Sequence, residues 1–338
     1  MVLPPALRFL IAGQLRREYI ITPAGKPVLD ILGGNLPYAA AGCSTWEPGI
    51  GLLSRTGENF PHEWIDGFAQ KGFDCRGIRT VPETLDQRSF YAYPDTDTCL
   101  TDNPVSHFAR LGLPFPKSLL GYSNLPQAQD SRTVPGSFTI RLSDIPSDYF
   151  DASAAHLCPL DFLSHSLLPP ALRQGNVTTI TMDPSSSYMN PIFWNEIPGL
   201  LKGISAFIPS EEKLLGLFQG RTNDLWEMAD ALADYGCEVI VINRGLRGQL
   251  LYDSAAHTRW SIPVYPGRIN DPTGAGDAFC GGFLAGFHST YNALEGALIG
   301  NISASLVMEG NGPFYILDTL PGLAKARLEV LRGMVHKA

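Results

Sequence analysis

Residues 270–282 read Asn-Asp-Pro-Thr-Gly-Ala-Gly-Asp-Ala-Phe-Cys-Gly-Gly, and this stretch carries the sharpest chemical signal in the sequence. Gly274, Ala275 and Gly276 have almost no side chain, so a ligand can approach their backbone N–H groups closely. A helix of small and apolar residues is predicted directly after them, and the N-terminus of a helix attracts anions. Asp277 falls in the first turn of that helix. The spacing leaves two roles open for its carboxylate, which either caps the helix or accepts a proton from a substrate hydroxyl beside the anion.

The same stretch differs from two common phosphate-binding motifs. The sequence contains no Gly-x-x-x-x-Gly-Lys-Ser/Thr, which excludes a P-loop enzyme. Phe279 stands where the dinucleotide-binding fingerprint needs a small residue. The predicted anion site therefore belongs to another class of protein.

Composition excludes several other classes. The chain has 338 residues, of which 44% are apolar and 17% charged, as in ordinary globular proteins. With a net charge of −8, the chain lacks the excess of basic residues typical of a nucleic-acid binder, and it would not be attracted to an anionic membrane. The six cysteines form no Cys-x-x-Cys pair, so we expect buried thiols in a reducing cytoplasm and no zinc site. These features predict a cytoplasmic protein that binds neither nucleic acid nor a membrane.

Apolar runs typical of strands alternate with helical patterns along the chain. Strands are predicted at 7–12, 50–53, 88–93, 156–158, 177–182, 204–208 and 238–243. Helices are predicted at 36–46, 63–71, 162–173, 192–201, 225–235, 275–287, 291–308 and 320–334. The proline-rich stretch 95–136 is predicted to form loops with one edge strand. This alternation predicts a mostly parallel sheet with helices on both faces and a ligand site beyond the carboxyl ends of the strands.

Residues 271–282 resemble the C-terminal signature of the ribokinase-like (pfkB) carbohydrate kinase family, usually Asp-Thr-x-Gly-Ala-Gly-Asp, from which Pro272 departs. Gly13 after the first strand, and Gly33-Gly34 before an alanine-rich helix, resemble the N-terminal motifs of the family. The segments 183–184, 209–212 and 245–248 follow in the family's order. The resemblance implies a single three-layer α/β/α domain over 1–338. It also implies a small β-sheet lid with strands within 14–32 and 86–110.

The resemblance also implies roles for the signature itself. The amides of Gly274, Ala275 and Gly276 would form the anion hole for the transferred phosphate, and Asp277 would be the general base. ATP and Mg²⁺ would be the cofactors. Asp271 and Thr273 would lie beside a monovalent cation, K⁺, as in several members. Lids in the family often mediate dimers, which raises a homodimer through the lid as a second kind of partner.

The predicted substrate residues depart from the family in two places. Glu18 stands where the family has an aspartate for sugar hydroxyls, and the alternative is an exposed loop residue. Gly33 and Gly34 would contact the substrate. Tyr38 stands near the place of a family asparagine, and it either stacks on a substrate ring or packs beneath the lid. Asn35 is either a polar substrate contact or a turn residue.

The residues predicted to bind the nucleotide and its metal depart further from the family pattern. The family's Asn-x-x-Glu element, which supports the magnesium-bound phosphates, falls at Ser210-Glu211-Glu212-Lys213, and neither end matches. Glu211 or Glu212 would act on the metal through water, or Lys213 would contact a phosphate directly. The alternative is a solvated helix start. The predicted nucleotide contacts are Asn243, Arg244, Gly245, Gly248 and Asn301. Arg244 is equally interpreted as a surface charge.

These patterns lead to one leading hypothesis and two alternatives. The leading hypothesis is an ATP-dependent kinase that phosphorylates a hydroxymethyl group of a sugar or nucleoside. A related alternative is a kinase of another small alcohol, such as a vitamin precursor. The altered element at 210–213 and Glu18 motivate a third hypothesis, a catalytically weak protein of the same fold that binds a nucleotide or metabolite as a sensor or interaction module.

Overall fold

A computed structural model describes residues 7–124 and 130–338 and contains one large and one small β-sheet. The strands are β1 (Phe9–Ala12), β2 (Arg16–Ile21), β3 (Pro27–Gly33), β4 (Ile50–Gly57), β5 (Asp74–Val81), β6 (Arg88–Ala92), β7 (Ala154–Leu157), β8 (Thr179–Met182), β9 (Ala206–Phe207), β10 (Val239–Asn243), β11 (Gln249–Asp253), β12 (Thr258–Ile262) and β13 (His336–Lys337). The helices are α1 (Asn35–Ser44), α2 (His62–Gln70), α3 (Pro104–Arg110), α4 (Phe162–Leu172), α5 (Ile197–Leu201), α6 (Glu211–Leu217), α7 (Leu225–Ala233), α8 (Ala275–Thr290), α9 (Ala293–Val307) and α10 (Leu323–Arg332). Within these ranges no helix is long and apolar enough to cross a membrane.

The large sheet has ten strands in the order β13-β12-β11-β10-β9-β8-β7-β1-β4-β5. Its strands are parallel from β5 to β10 and antiparallel from β11 to β13. Parallel strands covered on both faces are apolar throughout, which explains why β1 and β10 were recognisable as uninterrupted apolar runs. The carboxyl ends of the parallel strands therefore converge on one edge, as predicted.

Alternate residues of β1 show that helices cover both faces of the large sheet. Leu10 and Ala12 pack in one cluster with residues of α4 to α7. Phe9 and Ile11 pack in another cluster with residues of α1 and α8. Successive side chains of a strand point to opposite faces, so the two clusters lie on opposite sides of the sheet. The predicted three-layer α/β/α architecture is confirmed.

A small separate sheet is present, as predicted for the lid, with strand order β3-β2-β6. Strands β2 and β6 lie within the predicted ranges, and β3 ends one residue beyond them, at Gly33. One face of the small sheet packs against α3, where Phe90 and Tyr19 share a buried cluster with Phe108. The prediction of loops and one edge strand at 95–136 was wrong at α3, and residues 125–129 lie outside the described residues. Asn103 accepts the N–H of Ser106 at 3.3 Å, and a proline follows it at the first helical position. An asparagine cap followed by proline is typical of a helix start, so the sequence contained this signal.

Candidate active site

The loop that precedes α8 separates two cavities at the carboxyl edge of the large sheet. One, the polar cavity, has a volume of about 530 Å³, and its lining includes Arg16, Glu18, Gly34, Asn35, Tyr91, Tyr93, Thr273, Gly274 and Asp277. The other, the apolar cavity, has a volume of about 180 Å³, and its lining includes Tyr93, Asn243, Gly245, Leu246, Pro272, Ala275, Gly276, Asn301 and Met308. Consecutive residues of one loop thus face two different cavities.

Glycine is required at position 274 for two reasons. Its backbone has φ +75°, a left-handed conformation that disfavours other residues. A Cβ atom there would also lie 2.2 Å from Cγ of Tyr38, so the loop rests on that ring. No side chain caps the N-terminus of α8. The first N–H groups of a helix have no partner within it, and those of Gly276 and Asp277 are available to an anion. The N–H of Ala275 instead donates to the carbonyl of Pro272 at 3.2 Å, so its predicted place in the anion hole is not supported.

Asp277 lines the polar cavity in the first turn of α8. Among the described residues its carboxylate has neither a hydrogen-bond nor an ion-pair partner, which disfavours the capping role. Burial raises the pKa of Asp277 to about 7, and the negative charge of Asp183 adds to the increase. Lys213 opposes the increase. A carboxylate with a pKa near neutrality is suited to proton transfer.

Glu18 lies in β2 and is 2% exposed, so the alternative of an exposed loop residue was wrong. Its carboxylate accepts the N–H of Gly34 at 2.7 Å and the hydroxyl of Tyr38 at 3.2 Å. Burial raises the pKa of Glu18 to about 7, although both hydrogen bonds favour the charged form. A Cβ atom on Gly33 would lie 1.9 Å from Cδ of Glu18, so the glycine makes room for this carboxylate. Glu18 and Asp277 thus line the same cavity.

Two predicted substrate residues support the site and do not present free polar groups to it. Tyr38 is 1% exposed beneath Gly274, which agrees with the packing interpretation and not with stacking on a substrate. Asn35 lines the polar cavity, but both ends of its amide are engaged. Its Oδ1 accepts the N–H of Gln14 at 2.7 Å, and its Nδ2 donates to the carbonyl of Pro159 at 2.8 Å. Asn35 therefore joins the ends of β1 and β7 to the start of α1.

The predicted nucleotide residues divide into two groups. Asn243, Gly245 and Asn301 line the apolar cavity, whereas Arg244 and Gly248 do not. The guanidinium of Arg244 donates back to the carbonyl of Arg247 at 2.9 Å. A Cβ on Gly248 would lie 2.0 Å from the carbonyl oxygen of Ile262, so glycine is needed here for the backbone to approach that carbonyl closely.

Asn301 is held by the protein through its whole amide group. Its Nδ2 donates to Oε1 of Gln249 at 2.7 Å and to the carbonyl of Pro263 at 2.9 Å. Its Oδ1 accepts the N–H of Tyr265 at 2.9 Å. Asn301 shapes the wall of the apolar cavity, but it has no free hydrogen-bonding group to offer a ligand.

The predicted metal residues do not form one ion site. The described residues contain no group of three or more His, Cys, Asp or Glu side chains that could hold a metal. Asp271 is buried, with Oδ1 accepting the N–H of Thr273 at 3.0 Å and Oδ2 accepting Nδ2 of Asn311 at 2.9 Å. The Thr273 hydroxyl donates to the hydroxyl of Tyr93 at 3.2 Å, which links the loop to the lid. Glu212 is exposed in the first turn of α6.

The element at 210–213 has a structure that the sequence did not predict. Ser210 caps α6 by accepting the N–H of Lys213 at 3.3 Å. Glu211 pairs with Arg247 at 2.7 Å. Lys213 pairs with Asp183 at 2.5 Å, and their side chains are 14% and 12% exposed. The interpretation as a solvated helix start fits Glu212 but not Lys213.

Comparison with known proteins supports the resemblance. The model of the pfkB family of carbohydrate kinases matches residues 166–320, which include α6 and the loop before α8. This match supports the predicted resemblance to the pfkB family over that part of the chain. A cytidine kinase of Thermococcus kodakarensis is 26% identical to this protein over 282 residues, which are 83% of this chain and 88% of that one.

Solved structures show the same fold as this protein. A nucleoside kinase of Burkholderia thailandensis in complex with inosine superposes with a TM-score of 0.67 at 18% identity, covering 98% of this chain and 100% of that one. A ribokinase II of E. coli in complex with ATP and Mg²⁺ superposes with a TM-score of 0.64 at 16% identity, covering 96% and 99%. The partial family match and the kinase relatives support a phosphotransferase with an alcohol group as acceptor.

Proposed function

We propose that the protein transfers the γ-phosphoryl group of ATP to a hydroxymethyl group of a nucleoside or sugar. One observation carries this proposal: the loop at 273–277 divides the polar cavity, which contains Asp277 and Glu18, from the apolar cavity. An acceptor in the first cavity and a nucleotide in the second would meet at the uncapped N-terminus of α8. Phosphoryl transfer depends chiefly on such positioning and on electrostatic stabilisation.

Each part of the loop has a role in the proposed reaction. Asp277 takes the proton of the acceptor hydroxyl while the hydroxyl oxygen bonds to the γ-phosphorus and the bond to the leaving oxygen of ADP breaks. The N–H groups of Gly274 and Gly276 stabilise the negative charge of the transferred group, whereas that of Ala275 is held by the carbonyl of Pro272. Glu18 accepts a hydrogen bond from a second hydroxyl of the acceptor and so orients it. Tyr93 closes the lid on Thr273 and limits the entry of water.

The nucleotide and the metal fit the site in different degrees. The apolar cavity, lined by Leu246, Pro272 and Met308, suits the base of a nucleotide. Mg²⁺ is commonly held by substrate phosphates, waters and one or two carboxylates, so it does not need a dedicated cage of side chains. When bound with ATP, it would neutralise charge on the phosphates. The nearest family element, at 210–213, offers Glu212 for a contact through water.

The relationship to a cytidine kinase supports a nucleoside as acceptor, because it extends over 83% of this chain. A nucleoside presents the hydroxymethyl group that the proposed base requires, together with a ring that needs more room than a pentose alone. The polar cavity, at about 530 Å³, lies within the usual range for small-molecule sites. The lid-mediated homodimer stays a prediction.

A sensor or interaction module is the second candidate function. The ion pair of Lys213 with Asp183 favours it, since the charge at position 213 is opposite to that of the family's glutamate. This candidate predicts that ATP binds without turnover.

One experiment separates the two candidates. ADP formation from Mg-ATP is measured across pentoses, hexoses and nucleosides in the presence of K⁺, and ATP binding is measured by calorimetry on the same sample. The kinase proposal predicts ADP formation that depends on one class of acceptor. Calorimetric ATP binding without ADP formation for any acceptor would instead support the sensor.

A further inference from the structure

Arg16 lies at the junction of the polar cavity and a second opening. This opening, the side cavity, has a volume of about 540 Å³, and its lining includes Gln14, Arg16, Phe138, Thr139, Ser185 and Ser187. Arg16 lines both cavities, as do Gln14 and Asn35. An acceptor held by Glu18 and Asp277 can therefore extend past Arg16 into the side cavity.

The guanidinium of Arg16 has no acidic partner in the described part of the chain. Its Nη2 donates to Oε1 of Gln14 at 2.5 Å, which is its single side-chain hydrogen bond there, and no carboxylate oxygen lies within 4.0 Å. The ring of Phe138 lies beneath it, with 5.1 Å from Cζ to the ring centroid. The Nε and Nη1 donors are therefore left to the cavities.

The acids near Arg16 already have hydrogen-bond partners, which for Glu18 are the N–H of Gly34 and the hydroxyl of Tyr38, and within the described residues Asp86 alone among them has an ion pair. Asp86 binds Arg88 through two hydrogen bonds, of 2.8 and 2.7 Å. Asp130 accepts the N–H of Phe162 at 2.9 Å and the hydroxyl of Ser187 at 2.7 Å.

Asp161, the remaining acid of the side cavity, caps α4. Arg16 is thus the one cation of these two cavities, within the described residues, that lacks an ion pair. Arg16 is partly buried between the two cavities, so its guanidinium is placed to meet an anion supplied from outside the chain.

We propose that Arg16 binds an oxyanion, a carboxylate or a phosphate, carried by the acceptor that the active site phosphorylates. The planar guanidinium fork matches the geometry of either group. This inference rests on the proposed kinase function and names a class of acceptor for it: one with a hydroxymethyl group at one end and an oxyanion at the other. The hydroxyls of Ser185, Ser187 and Thr139 surround the space that the oxyanion would enter.

The wall of the side cavity is held in place from behind. Arg55 donates to the carbonyl of Ser137 at 3.1 Å and pairs with Asp144 at 2.8 Å, and both charged side chains are less than 10% exposed. This buried pair fixes the segment that carries Phe138 under Arg16. The side cavity is therefore bounded by a tethered segment on one side and by the lid strand β2 on the other.

The test compares acceptors that differ by one oxyanion. The pairs are orotidine and uridine, gluconate and glucitol, and fructose 6-phosphate and fructose, at matched ionic strength. Acceptor-dependent ADP formation is measured for the wild type, for Arg16→Met and for Arg17→Met. Arg17 is the matched control, because it neighbours Arg16 in β2, points to the opposite face and pairs with Asp30 at 2.6 Å.

The proposal predicts that the wild type prefers the anionic member of at least one pair. Arg16→Met should reduce kcat/KM for that member on the order of 10- to 100-fold, since hydrogen bonds to charged groups are lost, and should leave the neutral member nearly unchanged. Arg17→Met should change neither. The carboxylate and phosphate pairs distinguish the two sources of the oxyanion.

Two other outcomes are informative in different ways. A preference for neutral acceptors that Arg16→Met leaves unchanged would overturn the role of Arg16 while the kinase function stands. If no acceptor is phosphorylated, the kinase function fails, and Arg16 is then judged by binding. In that case, thermal stabilisation by orotidine, gluconate or fructose 6-phosphate that is lost in Arg16→Met supports the oxyanion site, and its absence overturns it.

Discussion

Lys213 and Asp183 form an ion pair with 2.5 Å between Nζ and Oδ1, in a place where both side chains are largely buried. The pair acts on Asp277, because Asp183 raises the pKa of that carboxyl and Lys213 lowers it. The pfkB motif that residues 210–213 resemble has a glutamate where this chain has Lys213. The reversal of charge at 213 is therefore compensated by Asp183, and the two residues together set the electrostatic environment of Asp277.

Replacement of Lys213 by methionine is expected to shift the pH dependence of the reaction. Without the ammonium group, the pKa of Asp277 rises further, so the acidic limb of kcat/KM moves to higher pH. Loss of one partner of a buried pair should also destabilise the fold by roughly 3–5 kcal/mol. Urea unfolding and a pH–rate profile measure the two effects.

The double variant Lys213→Met/Asp183→Asn is the control for this prediction. It removes both charges, so it should recover most of the lost stability and return the acidic limb toward that of the wild type. An acidic limb that stays in place in the single variant would contradict the coupling between Lys213 and Asp277.

The wild-type reaction should itself depend on pH through Asp277. The proposed base works in its ionised form, and its pKa lies at about 7. Below that pH the carboxyl is protonated, so kcat/KM should fall about tenfold for each pH unit. A profile that is flat from pH 5.5 to 8 would argue against Asp277 as the base.

The stability of the fold should depend on pH through Glu18. Its folded pKa of about 7 lies above the ordinary value of 4.5, so the folded state retains a proton that the unfolded state has already released. The stabilisation from this proton is complete below pH 4.5 and is lost as the pH rises to about 7. Glu18→Gln does not titrate, so from pH 4 to pH 8 it should gain up to ~3 kcal/mol relative to the wild type.

Urea midpoints of both proteins at the two pH values test the Glu18 prediction. The difference between variant and wild type removes the contribution of other groups, Asp277 among them. A difference that is the same at both pH values would show that the pKa of Glu18 does not change on folding and would contradict the prediction.

Gly33 should be required only while Glu18 is present. A Cβ atom at position 33 would lie 1.9 Å from Cδ of Glu18, so Gly33→Ala should displace that carboxylate and weaken acceptor binding. In a Glu18→Ala background the same substitution should cost much less, since the obstructing atoms are gone. A double-mutant cycle on KM and on unfolding measures this coupling, and additive effects would contradict it.

Much of the fold was predictable, because its signals are local. The apolar runs of β1 and β10 and the small residues before α8 depend on neighbours in the chain, and the structure contains these elements where they were expected. The helix α3 carried a local signal as well, in Asn103 and the proline after it, but the many prolines around it favoured the loop interpretation.

The parts of the candidate site that the sequence did not predict depend on contacts between residues that are distant in the chain. Asp183 meets Lys213 across 30 positions, and Thr273 meets Tyr93 across 180. The amide of Asn301 was expected to face a ligand, but Gln249 binds it across 52 positions. Such pairings follow from the order of strands in the sheet, which no local pattern specifies.

The most direct test of the proposed function replaces Asp277 by asparagine and measures acceptor-dependent ADP formation. Asp234→Asn is the matched control, because Asp234 is an exposed carboxyl at the end of α7. The proposed mechanism predicts that Asp277→Asn still binds ATP but loses on the order of 10²- to 10⁴-fold in kcat, whereas Asp234→Asn retains full activity. Turnover by Asp277→Asn at the wild-type rate would contradict the mechanism.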